Sequence, residues 1–103
     1  MSRWSDVISL TGITEGTDAD GFPADIEVTR ENIFANKLPV RSTEFYQASQ
    51  AGYKIEARFK IRLIDYQGEE KLIYEGIPYT IERTYETGEF VELSCERRDD
   101  SHV

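Results

Sequence analysis

The segment YKIEARFKIRLID, residues 53–65, decides the fold because apolar and polar side chains alternate along nearly all of it. Its apolar positions are Ile55, Ala57, Phe59, Ile61 and Leu63, and the charged positions between them are Lys54, Glu56, Arg58, Lys60 and Arg62. Successive side chains of a β-strand point to opposite faces of a sheet. The segment therefore predicts a half-buried strand whose polar face carries four of the chain's twelve Lys and Arg residues.

Further strands and one helix are predicted on either side of this segment. The strands cover residues 4–14, 26–35 with an irregularity before Ile33, two short stretches within 71–85 separated by the turn EGIP, and 89–96. Between residues 42 and 52 the apolar side chains instead recur at helical spacing, and Gly52 stands where a helix C′ residue belongs. We expect a helix of about two turns there, capped by Ser42 or Thr43. The sum is one mainly β domain over residues 1–103: a small six-stranded β-barrel or half-open sheet with one short helix.

Two segments are predicted to lie outside this framework. Residues 15–25 concentrate Gly, Asp and Pro, which favour turns, so we expect a flexible loop there. The charged residues 97–103 are expected to form a frayed tail. The N-terminus lacks the apolar core and cleavage site of a signal peptide, which favours synthesis and retention in the cytoplasm.

No set of residues supports catalysis or a cofactor. The single Cys95 shares its parity with apolar neighbours and is expected to be buried and inert, and the single His102 lies in the charged tail. One Cys and one His cannot supply a zinc site. The loop around Gly21 partly imitates a calcium loop but has Gly16 where the first Asp ligand belongs. Phosphate-binding glycine motifs are absent, so we predict a non-enzyme without metal or cofactor.

The cationic face of residues 53–65 has three interpretations. Because the chain carries a net charge of -8, it is a poor candidate for tight binding to DNA phosphates. The face can bind an acidic partner protein, or it can pair with acidic residues of neighbouring strands, which is the common use of such a face. The candidate partners within the chain are Glu82, Glu92 and Glu96.

A longer pattern begins at Ile33. It consists of the strand end IFAN, a helix with Ser42, EFYQA and Gly52, a strand ending in DY, the hairpin YEG-x-x-Y-x-I-x-RTY and the terminal strand ELSCE. In this order and spacing the pattern resembles the siphophage head closure family, also called head-tail joining or stopper proteins. The resemblance covers residues 33–96, and the N-terminal third echoes the family only loosely.

The resemblance implies a β-barrel subunit that forms a ring, typically dodecameric and sometimes hexameric, beneath the portal and its adaptor. Proteins of this family close the DNA exit channel after packaging and provide the docking surface for the tail terminator or tail tube. They are not enzymes. The expected location is therefore the head–tail interface of a virion, with viral DNA passing through the channel without sequence-specific binding.

The ring hypothesis suggests two sets of site residues. The tip of the loop is predicted to close the channel, and its residues are Asp18, Asp20, Gly21, Phe22 and Pro23. Residues 29–41 are the competing segment. Contacts between subunits or with partners are expected at Glu44, Tyr46, Arg58, Lys60 and Arg62. The alternative function is an OB-like β-barrel module that binds single-stranded nucleic acid or a peptide through exposed aromatic side chains.

Overall fold

The computed structural model describes residues 4–98 and shows a closed six-stranded antiparallel β-barrel with one α-helix. The strands are β1 (Asp6–Thr17), β2 (Pro23–Leu38), β3 (Ala57–Arg62), β4 (Lys71–Tyr74), β5 (Ile77–Thr87) and β6 (Phe90–Arg97), and helix α1 (Ser42–Ala51) connects β2 to β3. Around the barrel the order is β1-β2-β3-β6-β5-β4, and β4 pairs with β1 to close it. The predicted mainly β fold is confirmed. Of the two predicted architectures, the chain forms the closed barrel and not the half-open sheet.

Strand β3 lies between β2 and β6 in the barrel, and its side chains alternate between the core and the outer face as the sequence predicts. Ala57, Phe59 and Ile61 are fully buried, opposite equally buried residues of β6. The Phe59 ring lies 5.1 Å from the Tyr74 ring and 5.9 Å from the Tyr79 ring, measured between centroids. The strand is shorter than predicted, because Leu63–Asp65 form a single turn of 3-10 helix and residues 53–56 precede the strand.

Helix α1 occupies the predicted position and differs at its start. Its N-cap residue is Arg41, in an extended conformation and without a side-chain capping bond, so the prediction of a Ser42 or Thr43 cap is wrong. At the other end Gly52 has a φ of 95°, a left-handed conformation that costs glycine little, and this ends the helix as predicted. Ala48 is the buried residue of the helix.

The hairpin of β1 and β2 extends well beyond the barrel. Strand β4 pairs with β1 only at residues 9–11, and β3 pairs with β2 only at residues 36–38. Residues 12–29 therefore form an antiparallel pair whose strands bond only to each other, and we call this segment the β-arm. The radius of gyration is 15.0 Å, whereas a compact chain of this length is expected near about 13 Å.

The β-arm corrects the prediction of a loop over residues 15–25. Glu15 pairs with Asp25 and Thr17 pairs with Pro23, so only residues 18–22 form the connecting turn. The turn-forming residue types marked the tip correctly but did not show that regular pairing continues on both sides of it. We call residues 18–22 the tip of the β-arm.

A β-bulge lies where the β-arm joins the barrel, at the irregularity predicted before Ile33. Two residues of β2, Glu31 and Asn32, stand opposite the single residue Ser9 of β1. Asn32 has a φ of 62°, which asparagine tolerates better than most residues. The extra residue changes the parity of β2, so that Arg30 is opposite the buried Leu10 at the end of the barrel.

The C-terminal tail is better ordered at its start than predicted. Arg97 belongs to β6, and the Arg98 N–H donates a hydrogen bond to the Pro78 carbonyl at 2.9 Å. Residues 99–103 of the predicted frayed tail lie outside the described residues. Among the helices of residues 4–98, none has the length and apolar character needed to cross a membrane.

Candidate functional site: a charged cleft and a projecting arm

A polar cleft lies over the outer face of β6, between α1 and β5. It has a volume of about 350 Å³, which is at the small end of the range for ligand-binding clefts. The residues that line it are Arg41, Glu44 and Gln47 on the α1 side, Ile55 and Arg58 near β3, Arg83, Thr84 and Tyr85 on β5, and Glu92 and Ser94 on β6. We call this feature the charged cleft.

Arg58 of β3 connects α1, β6 and the segment before α1 at the charged cleft. It occupies an outward position of β3, yet it is only 4% exposed because α1 covers it. Its Nη1 donates to the Pro39 carbonyl at 2.8 Å, its Nη2 pairs with Glu92, and its Nε lies 2.9 Å from Glu44 Oε2. Cross-strand pairing with Glu92 confirms one of the partners that the sequence suggests.

The contact between Arg58 and Glu44 is electrostatic and lacks good hydrogen-bond geometry. Although the Nε–Oε2 distance is 2.9 Å, the Arg58 Nε–H has no hydrogen-bond acceptor in the structure. A distance criterion alone records an ion pair, whereas a hydrogen bond also requires that the N–H point at the oxygen. Glu44 additionally stands in the first turn of α1, where a carboxylate interacts favourably with the helix dipole.

Two further arginines flank the charged cleft with free side chains. Within residues 4–98, the side chains of Arg41 and Arg83 form no hydrogen bond and no ion pair. Tyr85, on the same outer face of β5 as Arg83, is 65% exposed. The cleft therefore presents unpaired positive charge beside an exposed aromatic ring in a protein of net charge -8.

The β-arm has two unlike faces. One face carries the acidic residues Glu15, Asp25 and Glu27, while the other carries Ala24, Ile26 and Val28 from β2 opposite Gly16, Thr14 and Gly12 from β1. Ile26 and Val28 are 41% and 45% exposed. A Cβ added to Gly16 would lie 2.1 Å from Ile26 Cδ1, so glycine is required for the Ile26 side chain to fold across the arm.

The tip of the β-arm is held in shape by Asp18. Its Oδ1 accepts hydrogen bonds from the N–H groups of Asp20 and Phe22, both at 2.9 Å, in the manner of an Asx turn. Asp20 is exposed, and Phe22 is 65% exposed. The tip thus presents a carboxylate and an aromatic ring to the surroundings.

An ion pair between a partly exposed arginine and a buried carboxylate fixes the root of the β-arm to the barrel. Arg30 Nε donates to Glu69 Oε2 at 2.8 Å, and Glu69 is 6% exposed. Glu69 Oε1 also accepts the Gln67 N–H at 2.7 Å. On the acidic face, Lys71 Nζ lies 3.2 Å from Glu27 Oε2. These contacts connect the arm to the segment that precedes β4.

The structure brings only part of the predicted interface set together. Glu44 and Arg58 meet in the charged cleft, whereas Tyr46 is 70% exposed on α1 and does not line it. Lys60 Nζ lies 4.3 Å from the centroid of the Phe90 ring, and Arg62 pairs locally with Asp65 at 3.1 Å. Arg58, Lys60 and Arg62 therefore have separate partners and do not act as one continuous cationic surface.

The flanking arginines of the cleft were missed because they lie on segments distant in sequence. Arg41 precedes α1 and Arg83 follows the irregularity in β5, where the pairing with β6 shifts between Ile81 and Arg83. Strict alternation in TIERTY places Arg83 on the parity of Ile81, opposite to Thr80, Glu82 and Thr84, and only the register shift pairs it with Ser94. Its neighbours across the cleft also depend on where α1 lies. Local sequence carries no signal for that placement.

Titratable groups of the core are kept protonated by their surroundings. Burial, reinforced by the charge of Glu82, raises the pKa of Cys95 to about 12, and the predicted burial of this side chain is confirmed. The hydrogen bond from Tyr74 Oη to Asp6 Oδ1, 2.8 Å long, is the main cause that raises the pKa of Tyr74 to about 12. Across residues 4–98 no three His, Cys, Asp or Glu residues are grouped closely enough to hold a metal ion. His102 lies outside the described residues.

Comparison with known proteins gives no assignment. No protein-family model matches the chain, and no curated protein shows significant similarity to it. The functional argument therefore depends on the fold and on the two surface features.

Proposed function

We propose that the chain is a structural subunit of a virion head–tail connector. In this role it forms a ring below the portal and its adaptor, closes the DNA exit channel and provides the docking surface for the tail. The support is the resemblance of residues 33–96 to head closure proteins together with a barrel that carries two dissimilar surfaces. The observation that carries the proposal is the position of these surfaces.

The β-arm and the charged cleft lie on opposite sides of the barrel. In the order β1-β2-β3-β6-β5-β4, the strand opposite β1 is β6, and the strand opposite β2 is β5. An arm on one side and a cleft on the other are suited to head-to-tail association, which generates a ring when the rotation between subunits closes. The ring is expected to be a dodecamer or a hexamer, by the resemblance.

The charge of the chain is consistent with a channel through which DNA moves. With a net charge of -8, a ring of these subunits offers DNA phosphates few cations with which to exchange their counterions. Viral DNA can then pass without being held. The partners of such a ring are the portal–adaptor complex on one side and the tail terminator or tail tube proteins on the other.

Electron microscopy of the purified protein mixed with a portal–adaptor complex tests the proposed function. The expected result is an additional ring of density on the adaptor, coaxial with the portal channel. Portal without adaptor serves as the control and should gain no ring. Absence of added density on every head–tail connector tested, at saturating protein, would contradict the proposal.

A second function is favoured by a small cluster of aromatic and basic side chains near β3 and β6. The ring centroids of Trp4 and Phe90 lie 5.9 Å apart, and Lys60 stands over Phe90. Aromatic rings beside a cation can stack on unpaired bases, as in modules that bind single-stranded nucleic acid. The binding partner of this alternative is single-stranded nucleic acid or a peptide.

Trp4 provides a direct test of the alternative because it is the chain's single tryptophan. Base stacking on the cluster should quench its fluorescence on titration with oligothymidylate, and added salt should reverse the effect. Lys60→Ala should weaken the quenching, whereas the matched variant Lys54→Ala should not. Unchanged fluorescence at millimolar nucleotide would exclude this function.

A further inference from the structure

The geometry points to a specific contact: the tip of the β-arm docks into the charged cleft of a second copy of this chain. Asp20 pairs with Arg83, and Phe22 packs against Tyr85. This inference deepens the proposed ring assembly and rests on it, because it names the surfaces through which neighbouring subunits meet. It is argued from charge, from exposed apolar surface and from the position of the two features.

Charge is separated between the two features within a single chain. Residues 12–29 contain five of the chain's twenty acidic residues and none of its twelve Lys and Arg residues. The charged cleft contains three arginines and two glutamates, and both glutamates already pair with Arg58. Arg41 and Arg83 are thus left to attract an acidic occupant. Unlike surfaces attract each other while two arms or two clefts repel, so the charges favour arm-to-cleft contact.

The charged cleft also contains an unsatisfied donor. The Arg58 Nε–H is the one buried side-chain polar group within residues 4–98 that lacks a hydrogen-bond partner. Such a group costs free energy until an acceptor reaches it. An occupant that brings carboxylate or carbonyl oxygens into the cleft can supply that acceptor, directly or by reorienting Glu44.

The β-arm exposes apolar side chains that would be stabilised by packing against another surface. A two-stranded hairpin is marginally stable in water when nothing packs against it, and this one exposes Phe22 at its tip and Ile26 and Val28 on one face. The cleft offers the exposed ring of Tyr85 at its edge. Aromatic rings in offset or edge-to-face contact stabilise each other beyond the area they bury.

The opposite placement of arm and cleft makes a second copy the occupant. Every copy of the chain carries both halves of the contact on opposite walls of the barrel, so one docking event leaves a free cleft and a free arm for the next. This is a heterologous contact, which continues from subunit to subunit until it closes. An unrelated partner would account for one of the two features and leave the other unexplained.

The test uses two variants of the full chain, each lacking one half of the contact. In the arm variant, residues 18–22 are replaced by Asn-Gly and Pro23 by Thr, because a type I′ turn needs the backbone N–H that proline lacks. In the cleft variant, Arg83 is changed to Glu. Assembly is measured by native mass spectrometry and sedimentation velocity in low salt, and circular dichroism verifies folding.

Wild type is expected to form oligomers, and each variant alone is expected to associate at least tenfold more weakly. An equimolar mixture should give a one-to-one heterodimer and nothing larger, because only the arm of the cleft variant and the cleft of the arm variant remain intact. A chain that carries both Asp20→Arg and Arg83→Asp should assemble again. The matched controls Glu89→Arg and Lys54→Glu change exposed charges outside the arm and the cleft lining, and they should behave as wild type.

The outcomes separate this inference from the proposed function. If both variants assemble like wild type, or wild type stays monomeric at every concentration, the inference is overturned, while a ring on the portal–adaptor complex would still support the connector. If the mixture gives the heterodimer but no ring forms on any connector, the contact is established and the connector function fails. The same arm variant tests the channel-closing role predicted for the tip: closure predicts an intact ring with loss of packaged DNA, whereas docking predicts loss of the ring.

Discussion

The β-arm and the wall formed by β3 and β6 are both antiparallel pairs with alternating apolar residues, yet their apolar faces have different surroundings. In the wall, Phe59 and Ile61 are fully buried. In the arm, Ile26 and Val28 remain 41% and 45% exposed. The apolar face of the wall is buried because the barrel closes around it. No other strand of residues 4–98 pairs with the β-arm. Alternation therefore predicts which side chains share one face of a strand, and closure of the sheet decides whether that face is buried.

The largest expected contrast between the two regions comes from truncating one phenylalanine in each. Phe59→Ala should lower the free energy of unfolding by about 3 to 5 kcal/mol, because it leaves a cavity beside Tyr74 and Tyr79. Phe22→Ala, in the monomer, should change it by less than about 0.5 kcal/mol, since the ring is exposed. Urea denaturation measures both values. Equal losses would show that the tip is packed within the monomer.

A smaller effect is expected from the ion pairs of β3. Arg58→Ala should cost about 1 to 3 kcal/mol, because Glu44 and Glu92 lose a shared cation that is 4% exposed. Arg62→Ala removes an exposed pair with Asp65 and should cost at most about 1 kcal/mol. Added salt should reduce the cost of the second change more than that of the first. A fully salt-dependent cost for Arg58→Ala would contradict its burial.

Alkaline pH should destabilise the wall through Cys95. Below its usual pKa near 9.0 the thiol is protonated in both states, but as pH rises toward the folded-state pKa of about 12 it ionises first in the unfolded chain. The free energy of unfolding should therefore fall across this window. Cys95→Ala should make the fall shallower, and Tyr74, whose pKa is also about 12, should account for part of what remains. Parallel pH curves for wild type and Cys95→Ala would contradict the assignment.

The smallest change in global stability is expected from Asp18→Ala at the tip. It removes the acceptor for two backbone N–H groups of the turn. Global stability should fall by less than about 1 kcal/mol, because the turn is exposed. Hydrogen exchange at Phe22 should nevertheless become faster, while exchange at Phe59 should not change. Equal acceleration at both sites would mean that arm and barrel unfold as one unit.

The features that sequence could predict are those set by neighbouring residues. The strict alternation around Phe59 identified the wall, and the i, i+3 spacing with Gly52 identified the helix. Parity gave Glu92 as one of three candidate partners for the cationic face, and the structure pairs it with Arg58. The contact between Glu44 and Arg58 depends on how α1 lies against β3. The extent of the β-arm was missed because Gly, Asp and Pro suggested a loop where the opposite strand, many residues away, provides regular pairing.

The root of the β-arm has a consequence for the geometry of any assembly joined through arm and cleft. From residue 12 to the tip the arm spans roughly 20 Å, at about 3.4 Å per residue, so it acts as a lever whose pivot is the Arg30–Glu69 pair. A rotation of a few degrees at the pivot moves Phe22 by more than an ångström and changes the angle between successive subunits. In such an assembly the number of copies would then depend on one partly buried ion pair far from the subunit boundary.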